Sequence, residues 1–170
     1  MQNLAKVFGL LVLSMGIMPM PNPAAGSGAE AFEKLKALVG HWETDKTNMA
    51  KATLDLELTS GGTAVLENFH MVENGKPVEM TTLYYLDGDQ VKLTHYCMAG
   101  NQPTMKGLYA PETKTITFDL VSISNLKSAD DGHMRHAVYT FIDNDHFKTT
   151  WTFRKEQKDA FTEDVTYVRK

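Results

Sequence analysis

Three glycine-containing dipeptides, Gly61-Gly62, Asn74-Gly75 and Asp87-Gly88, constrain this chain more than any other feature of its sequence. They punctuate the stretch from Leu54 to Cys97, which otherwise alternates between apolar and polar residues. Asn-Gly and Asp-Gly supply the positive φ angles that tight hairpin turns need, and Gly-Gly can do the same. Each turn, taken as a two-residue loop, sets a register. Because strand side chains alternate with period two, it also sets which residues share a face.

Gly61-Gly62 places Leu56 opposite Glu67 and Leu54 opposite Phe69. Asn74-Gly75 places Phe69 opposite Met80 and Glu67 opposite Thr82. Turning on Asp87-Gly88 or Gly88-Asp89 puts Thr82 beside Leu93 or His95. One face then carries Leu54, Leu56, Leu58, Val65, Phe69, Met71, Val78, Met80, Tyr84, Val91 and Leu93. The other carries Asp55, Glu57, Thr59, Asn68, His70, Thr81, Lys92 and Thr94. Three independent turns agree on one apolar face, which is the signature of an antiparallel meander. Glu67, Thr82 and His95 fall on that apolar face too, with Cys97 at the strand end. A buried carboxylate is costly unless it is paired or the interior is wet, so these residues predict a polar spot inside. In pairing order, the nearest donors for Glu67 are Thr82 and His95.

The same rhythm continues. Ala29 to Val39 has helical spacing (Phe32, Leu35, Leu38, Val39), with acids in its first turn and Gly40 to stop it. Gly40 to Glu43 opens the first strand, and Thr44 to Met49 is a polar connection. Thr104 to Ala110 and Thr115 to Ile123 flank a turn at Pro111 to Lys114, and Ser124 to Gly132 is the longest polar connection. His133 to Ile142 and Phe147 to Arg154 form a hairpin across Asp143-Asn144-Asp145-His146. A two- or four-residue loop there sets Val138 against Trp151 and His136 against Phe153, whereas a three-residue loop turns Arg135 and Tyr139 inward. Phe161 to Val168 is the last strand. About ten short strands with hairpin-length connections predict an all-β, up-and-down antiparallel barrel preceded by one short helix. Closure would leave no exposed edge. A barrel of this size encloses a cavity.

Met1 to Ala29 stands apart. Val7 to Met18 is an apolar run of signal-peptide length, too short to span a bilayer, followed by a small-residue stretch with Ala25 and Ala29 as cleavage points. The expectation is an exported protein, periplasmic or secreted, whose barrel domain covers residues 30–170. The net charge of −4 and the lack of a basic stripe give no footprint for nucleic acid. Cys97 is the only cysteine, so no internal disulfide can form, and a lone Cys on an apolar face reads as a small hydrophobe.

Gly40-x-Trp42, after a short helix and opening the first strand, resembles the lipocalin and fatty-acid-binding superfamily, the calycins. The resemblance implies a Trp packed at the closed barrel end under a basic residue from near the last strand, here Arg169 or Arg154. Leu38 to Trp42, Thr94 to Cys97 with Gly100 to Pro103, and His133 to His136 with Phe141-x-Asp143 resemble a family of bacterial lipocalin-like proteins of unknown function. The strand count is similar to nitrobindin-type haem barrels, which carry glycines where this chain has Glu43-Thr44-Asp45-Lys46.

Turns alternate between the two barrel ends, so His95, Cys97, Asn101, Gln102, His133 and His136 reach the rim opposite the helix. The longest and most polar connections lie there too, as expected for a mouth. The first functional reading is a cavity binding a small apolar or amphipathic molecule through Glu67, Met80, Thr82, Tyr84, His95, Cys97, Asn101, Gln102, His136 and Trp151. The second is a haem or metal site using His95 and His136. The third is an enzyme with Glu67 and His95 as an acid–base pair.

Overall fold

In a computed structural model the chain forms a closed ten-strand barrel, and residues 25–45 and 51–170 are described. The expected leader, Val7 to Met18, and most of the Thr44 to Met49 connection lie outside the described residues. Helix α1 (Gly28–Lys36) precedes β1 (Gly40–Thr44), β2 (Ala52–Thr59), β3 (Ala64–Glu73), β4 (Lys76–Asp87) and β5 (Gln90–Tyr96). After these come β6 (Gln102–Ala110), β7 (Thr115–Ser124), β8 (His133–Phe141), β9 (His146–Lys155) and β10 (Lys158–Arg169). Every strand pairs antiparallel with its sequence neighbours, and β1 pairs with both β2 and β10, which closes the ring.

The registers of β2 to β5 follow from their turns. Leu56 pairs with Glu67, Phe69 with Met80, Glu67 with Thr82 and Thr82 with His95, the last turn being centred on Gly88-Asp89. Of the expected inward face, Leu54, Leu56, Val65, Val78, Tyr84, Val91 and Leu93 are buried, Phe69, Met71 and Met80 are half-buried towards the other end, and Leu58 at the helix end is 48% exposed.

The hairpin of β8 and β9 corrects the register that places His136 inward. Tyr139 pairs with Thr149 and Ala137 with Trp151, a three-residue turn at Asp143 to Asp145. Tyr139 is therefore buried and His136 faces outward, where its Nδ1 lies 2.8 Å from the Asp119 carboxylate. Volume decides the outcome. The interior takes Tyr139 among Tyr84, Phe118, Phe147 and Trp151 rather than the smaller Val138. A bulge between Met134 and His136 then restores Met134 to the inside and leaves Arg135 outside, paired with Asp159.

Helix α1 closes one end of the barrel. A capping box starts it: Glu30 N–H donates to Ser27 Oγ at 3.2 Å and Ser27 N–H to the Glu30 carboxylate at 2.8 Å. Ala31, Phe32 and Leu35 are buried against the barrel. Gly28 lies so close to the β4–β5 turn that a Cβ there would sit 2.0 Å from Asp89 O. The helix ends at Lys36, three residues before the periodicity does. The carbonyls beyond it are claimed from outside: Trp42 Nε1 donates to Leu38 O at 2.7 Å, and Arg169 donates to Val39 O and Ala37 O, each at 2.8 Å. The Arg169 guanidinium also lies 4.1 Å from the centre of the Trp42 ring. Arg169, and not Arg154, thus covers the tryptophan. Arg154 bonds to Gln157 O instead.

Candidate functional site

Along the inward face, Glu67 marks a boundary. Towards the helix the barrel is solid, filled by Val65, Tyr84, Leu93, Met105, Phe118, Phe147 and Trp42. Towards the other end a cavity of about 540 Å³ begins. Glu67, Leu54, Tyr139, Tyr167, His95 and Trp151 line it, and Phe69, Met71, Met80, Met134 and Val165 rise along its walls. Glu73, Phe161 and Glu163 line it as well. All three share the inward parity of their strands, yet they are exposed. The mouth therefore lies at the end opposite the helix, where the longest connections gather.

Glu67 and His95 are each 5% exposed. Of the two donors expected for Glu67, Thr82 is a hydrogen-bonding neighbour and His95 is not, and two tyrosines come before it. The tyrosine donors are Tyr84 Oη at 2.8 Å and Tyr139 Oη at 3.4 Å, with the two phenols also in contact with each other. The Thr82 hydroxyl is a further hydrogen-bonding neighbour. Burial pushes the Glu67 carboxyl up to about 7, against the opposing pull of these hydroxyls. Near neutral pH the group thus divides between its charged and uncharged forms.

His95 does not bond Glu67 directly, because Thr82 stands between them in the cross-strand row Glu67, Thr82, His95. Its Nδ1 lies 2.9 Å from Thr82 Oγ1, its ring centre is 5.0 Å from that of Trp151, and its Nε2 is buried with no partner among the described residues. Burial pushes its pKa down to about 4, so the imidazole is neutral at physiological pH. Thr82 has one hydrogen. When that hydrogen goes to Glu67, the hydroxyl accepts from His95 Nδ1–H, and Nε2 is left as a bare acceptor.

Of the residues singled out in the sequence, Glu67, Met80, His95 and Trp151 line the cavity. Thr82 and Tyr84 are buried directly beneath it as partners of His95 and Glu67. Cys97 is buried at the strand end, and burial raises its thiol pKa. Asn101 is buried but serves the β7–β8 connection, donating to Gly132 O at 2.8 Å. Gln102, at the start of β6, does not line the cavity, nor does His136. Sequence reasoning turned Tyr139 inward only in the three-residue-loop alternative, did not place it at the site, and missed Tyr167. Their signal was the aromatic parity of the last three strands, which an unfixed register left unread. His41, His70 and His146 lie on the outside beside Asp55, Glu79 and Asp143.

Among the described residues no group of three or more His, Cys, Asp or Glu side chains could hold a metal ion, and no helix is long and apolar enough to cross a membrane. The four carboxylates lining the cavity belong to Glu67, Glu73, Glu163 and Asp164, and no described Lys or Arg lines it. Asp164 is turned to Lys148 and Thr150.

No protein-family model matches the chain, and no curated protein does. Among solved structures it is similar to Rv2717c from M. tuberculosis, at a TM-score of 0.60 and 17% identity over 82% of this chain and 97% of that one. It is also similar to a protein of unknown function from the DUF3598 family of Nostoc punctiforme PCC 73102. There the TM-score is 0.51 and the identity 14%, over 80% of this chain and 49% of that one. At these identities the likeness is one of fold.

Proposed function

We propose that this barrel binds a small amphipathic molecule, its apolar body held in the cavity and its polar end at the Glu67, Thr82, His95 row. The observation that carries the reading is the abrupt change at Glu67, where a filled core gives way to about 540 Å³ of open volume. Ligand pockets are typically of this size, mainly apolar, with a few polar groups to set orientation. Arg169 over Trp42 behind Gly40, at the closed end of the barrel, supports a place among the calycins. The apolar run before the barrel supports export to the periplasm or beyond.

Titration with a neutral apolar fluorophore tests the binding reading. Saturable binding that quenches Trp151, weakens on Met80→Trp and survives His136→Ala is the expected result. No saturable binding by the folded protein would remove it.

The lining fits haem poorly. His95 Nε2 could supply one axial nitrogen, but His136 is on the outer surface and cannot join it. The two haem propionates would meet Glu67, Glu73 and Glu163, with no described Lys or Arg in the lining to receive them.

A further inference from the structure

We infer that the ligand carries a protonated primary or secondary amine, its N–H groups seated between the Glu67 carboxylate and His95 Nε2. This rests on the barrel being a small-molecule binder, and it names the class of molecule bound.

Two independent features lead there. The first is the charge of the wall. Three carboxylates on the inward face, Glu163 and Glu73 at the mouth and Glu67 at the base, mark a path from solvent to the floor of the cavity. Neither Glu73 nor Glu163 is in an ion pair among the described residues, although Lys76 stands opposite Glu73 across its turn. An anion entering this path meets repulsion and a cation meets attraction, and the effect is strongest at the buried end, where the local dielectric is low.

The second feature is His95. Its Nε2 is buried with no partner, and with the Thr82 hydrogen given to Glu67 and His95 Nδ1–H given to Thr82 it is an acceptor without a donor. An orphaned acceptor of this kind costs stability that a ligand donor recovers on binding. A carboxylic acid in its ionised form has no hydrogen to offer, and a quaternary ammonium has none either. An alcohol can donate one hydrogen but leaves Glu67 without a counter-charge. A protonated amine answers both needs. Beside this pair, Trp151, Tyr139, Tyr167 and Phe69 give the cavity an aromatic lining.

The groups facing Glu67 are Tyr84, Tyr139 and Thr82 by hydrogen bond and Tyr167 by charge. His95, Glu73, Glu163 and Asp164 share the cavity. The tyrosines, whose ionisation is pushed up by burial, stay neutral. The neutral imidazole does not compete with a cation. Glu67 is then the group whose ionisation follows binding. A cation favours the carboxylate, so the affinity for an amine should rise as pH climbs through the neutral range and level off above it.

The experiment compares n-decylamine, n-decyltrimethylammonium, n-decanol and decanoate by calorimetry and by Trp151 fluorescence. Decylamine is expected to bind about tenfold more tightly than decanol at pH 8, each tenfold step being one decade in Kd. Decanoate should bind more weakly than either, and the quaternary ammonium should fall short of the primary amine. Between pH 5.5 and 7.5 amine affinity should rise about tenfold while that of decanol stays level. Glu67→Gln should remove the pH dependence of amine binding and with it the advantage of decylamine over decanol. The double variant Glu73→Gln, Glu163→Gln leaves the core untouched and should weaken decylamine more than decanol. Decanol bound with no advantage for the amine would overturn this inference alone, and decanoate bound best would do the same. Failure of all four ligands to bind would overturn the binding reading together with it.

Discussion

Tyr84 donates its phenolic hydrogen to Glu67 at 2.8 Å, across a diagonal of the β3–β4 pair. Glu67 lies directly opposite Thr82, and Tyr84 is two residues further along the same inward face. A phenol is long enough to span that diagonal, and the short Thr82 side chain stands between Glu67 and His95. The carboxylate is thereby held from the filled half of the barrel while it faces the open half. The side chain that carries the charge chemistry is fixed by the core rather than by a loop.

Tyr84→Phe should therefore change Glu67 more than it changes packing. It removes the leading group that holds the carboxyl pKa down, so Glu67 should titrate well above its present value of about 7. The loss of a hydrogen bond to a charged group should cost about 1–3 kcal/mol above that range. A carboxyl resonance followed by NMR through a pH titration reads this directly. An unmoved titration would assign the carboxylate to Tyr139 instead.

The two buried titratable groups have opposite effects on stability as pH changes. Glu67 is raised from 4.5 to about 7, so its contribution is full below 4.5 and is lost as pH rises through about 7. His95 is lowered from 6.5 to about 4, so its contribution is full above 6.5 and is lost as pH falls through about 4. Each difference is worth about 3 kcal/mol, so the two slopes nearly cancel between pH 4.5 and 6.5. Urea midpoints should show a flat profile for the native chain, a rise with pH in Glu67→Gln and a fall with pH in His95→Gln. Parallel slopes in the two variants would contradict the assignment.

Two hairpins were legible from residue types because Gly-Gly and Asn-Gly each leave one centre for the turn; Asp87-Gly88-Asp89 leaves two centres of the same parity, which fixed the face but not whether Leu93 or His95 lies beside Thr82. The β8–β9 turn offers Asp143-Asn144-Asp145-His146, without a glycine, and both parities of β8 carry apolar residues. Only the packing of Tyr139 against partners far away in sequence breaks that tie. The tyrosine donors to Glu67 were illegible for a related reason. Pairing order ranks directly opposed residues first, and the reach of a phenol along a diagonal depends on its rotamer.

At the closed end, Trp42 is fully buried with Phe147 edge-on at 4.7 Å. Trp42→Ala should cost about 3–5 kcal/mol, the range for truncating a large buried aromatic. Arg169→Ala removes the cation over that ring together with the two donors to Ala37 O and Val39 O, and should cost about 1–3 kcal/mol. Both costs should appear in the stability of the barrel while ligand preference stays the same, because neither residue touches the cavity. A shift in preference on Arg169→Ala would mean that the two ends communicate.

The cap on α1 bears on where a leader could be cut. Cleavage after Ala29 would remove Ser27, which accepts from Glu30 N–H, and Gly26, whose N–H bonds Tyr109 O at 2.9 Å. Losing an N-cap of this kind costs about 0.5–2 kcal/mol, and the helix concerned seals the closed end of the barrel. Cleavage at Ala25 keeps both contacts. If the chain is exported, its mature N-terminus should therefore lie at or before Gly26. A chain cut to begin at Glu30 should be less stable than one beginning at Gly26 by roughly the value of the cap. Ser27→Ala in the longer form should reproduce most of that loss, and Ser27→Asp should restore it. N-terminal sequencing of exported protein provides the first measurement and chemical denaturation of the two forms the second. A native terminus at Glu30 with undiminished stability would show that the cap is dispensable.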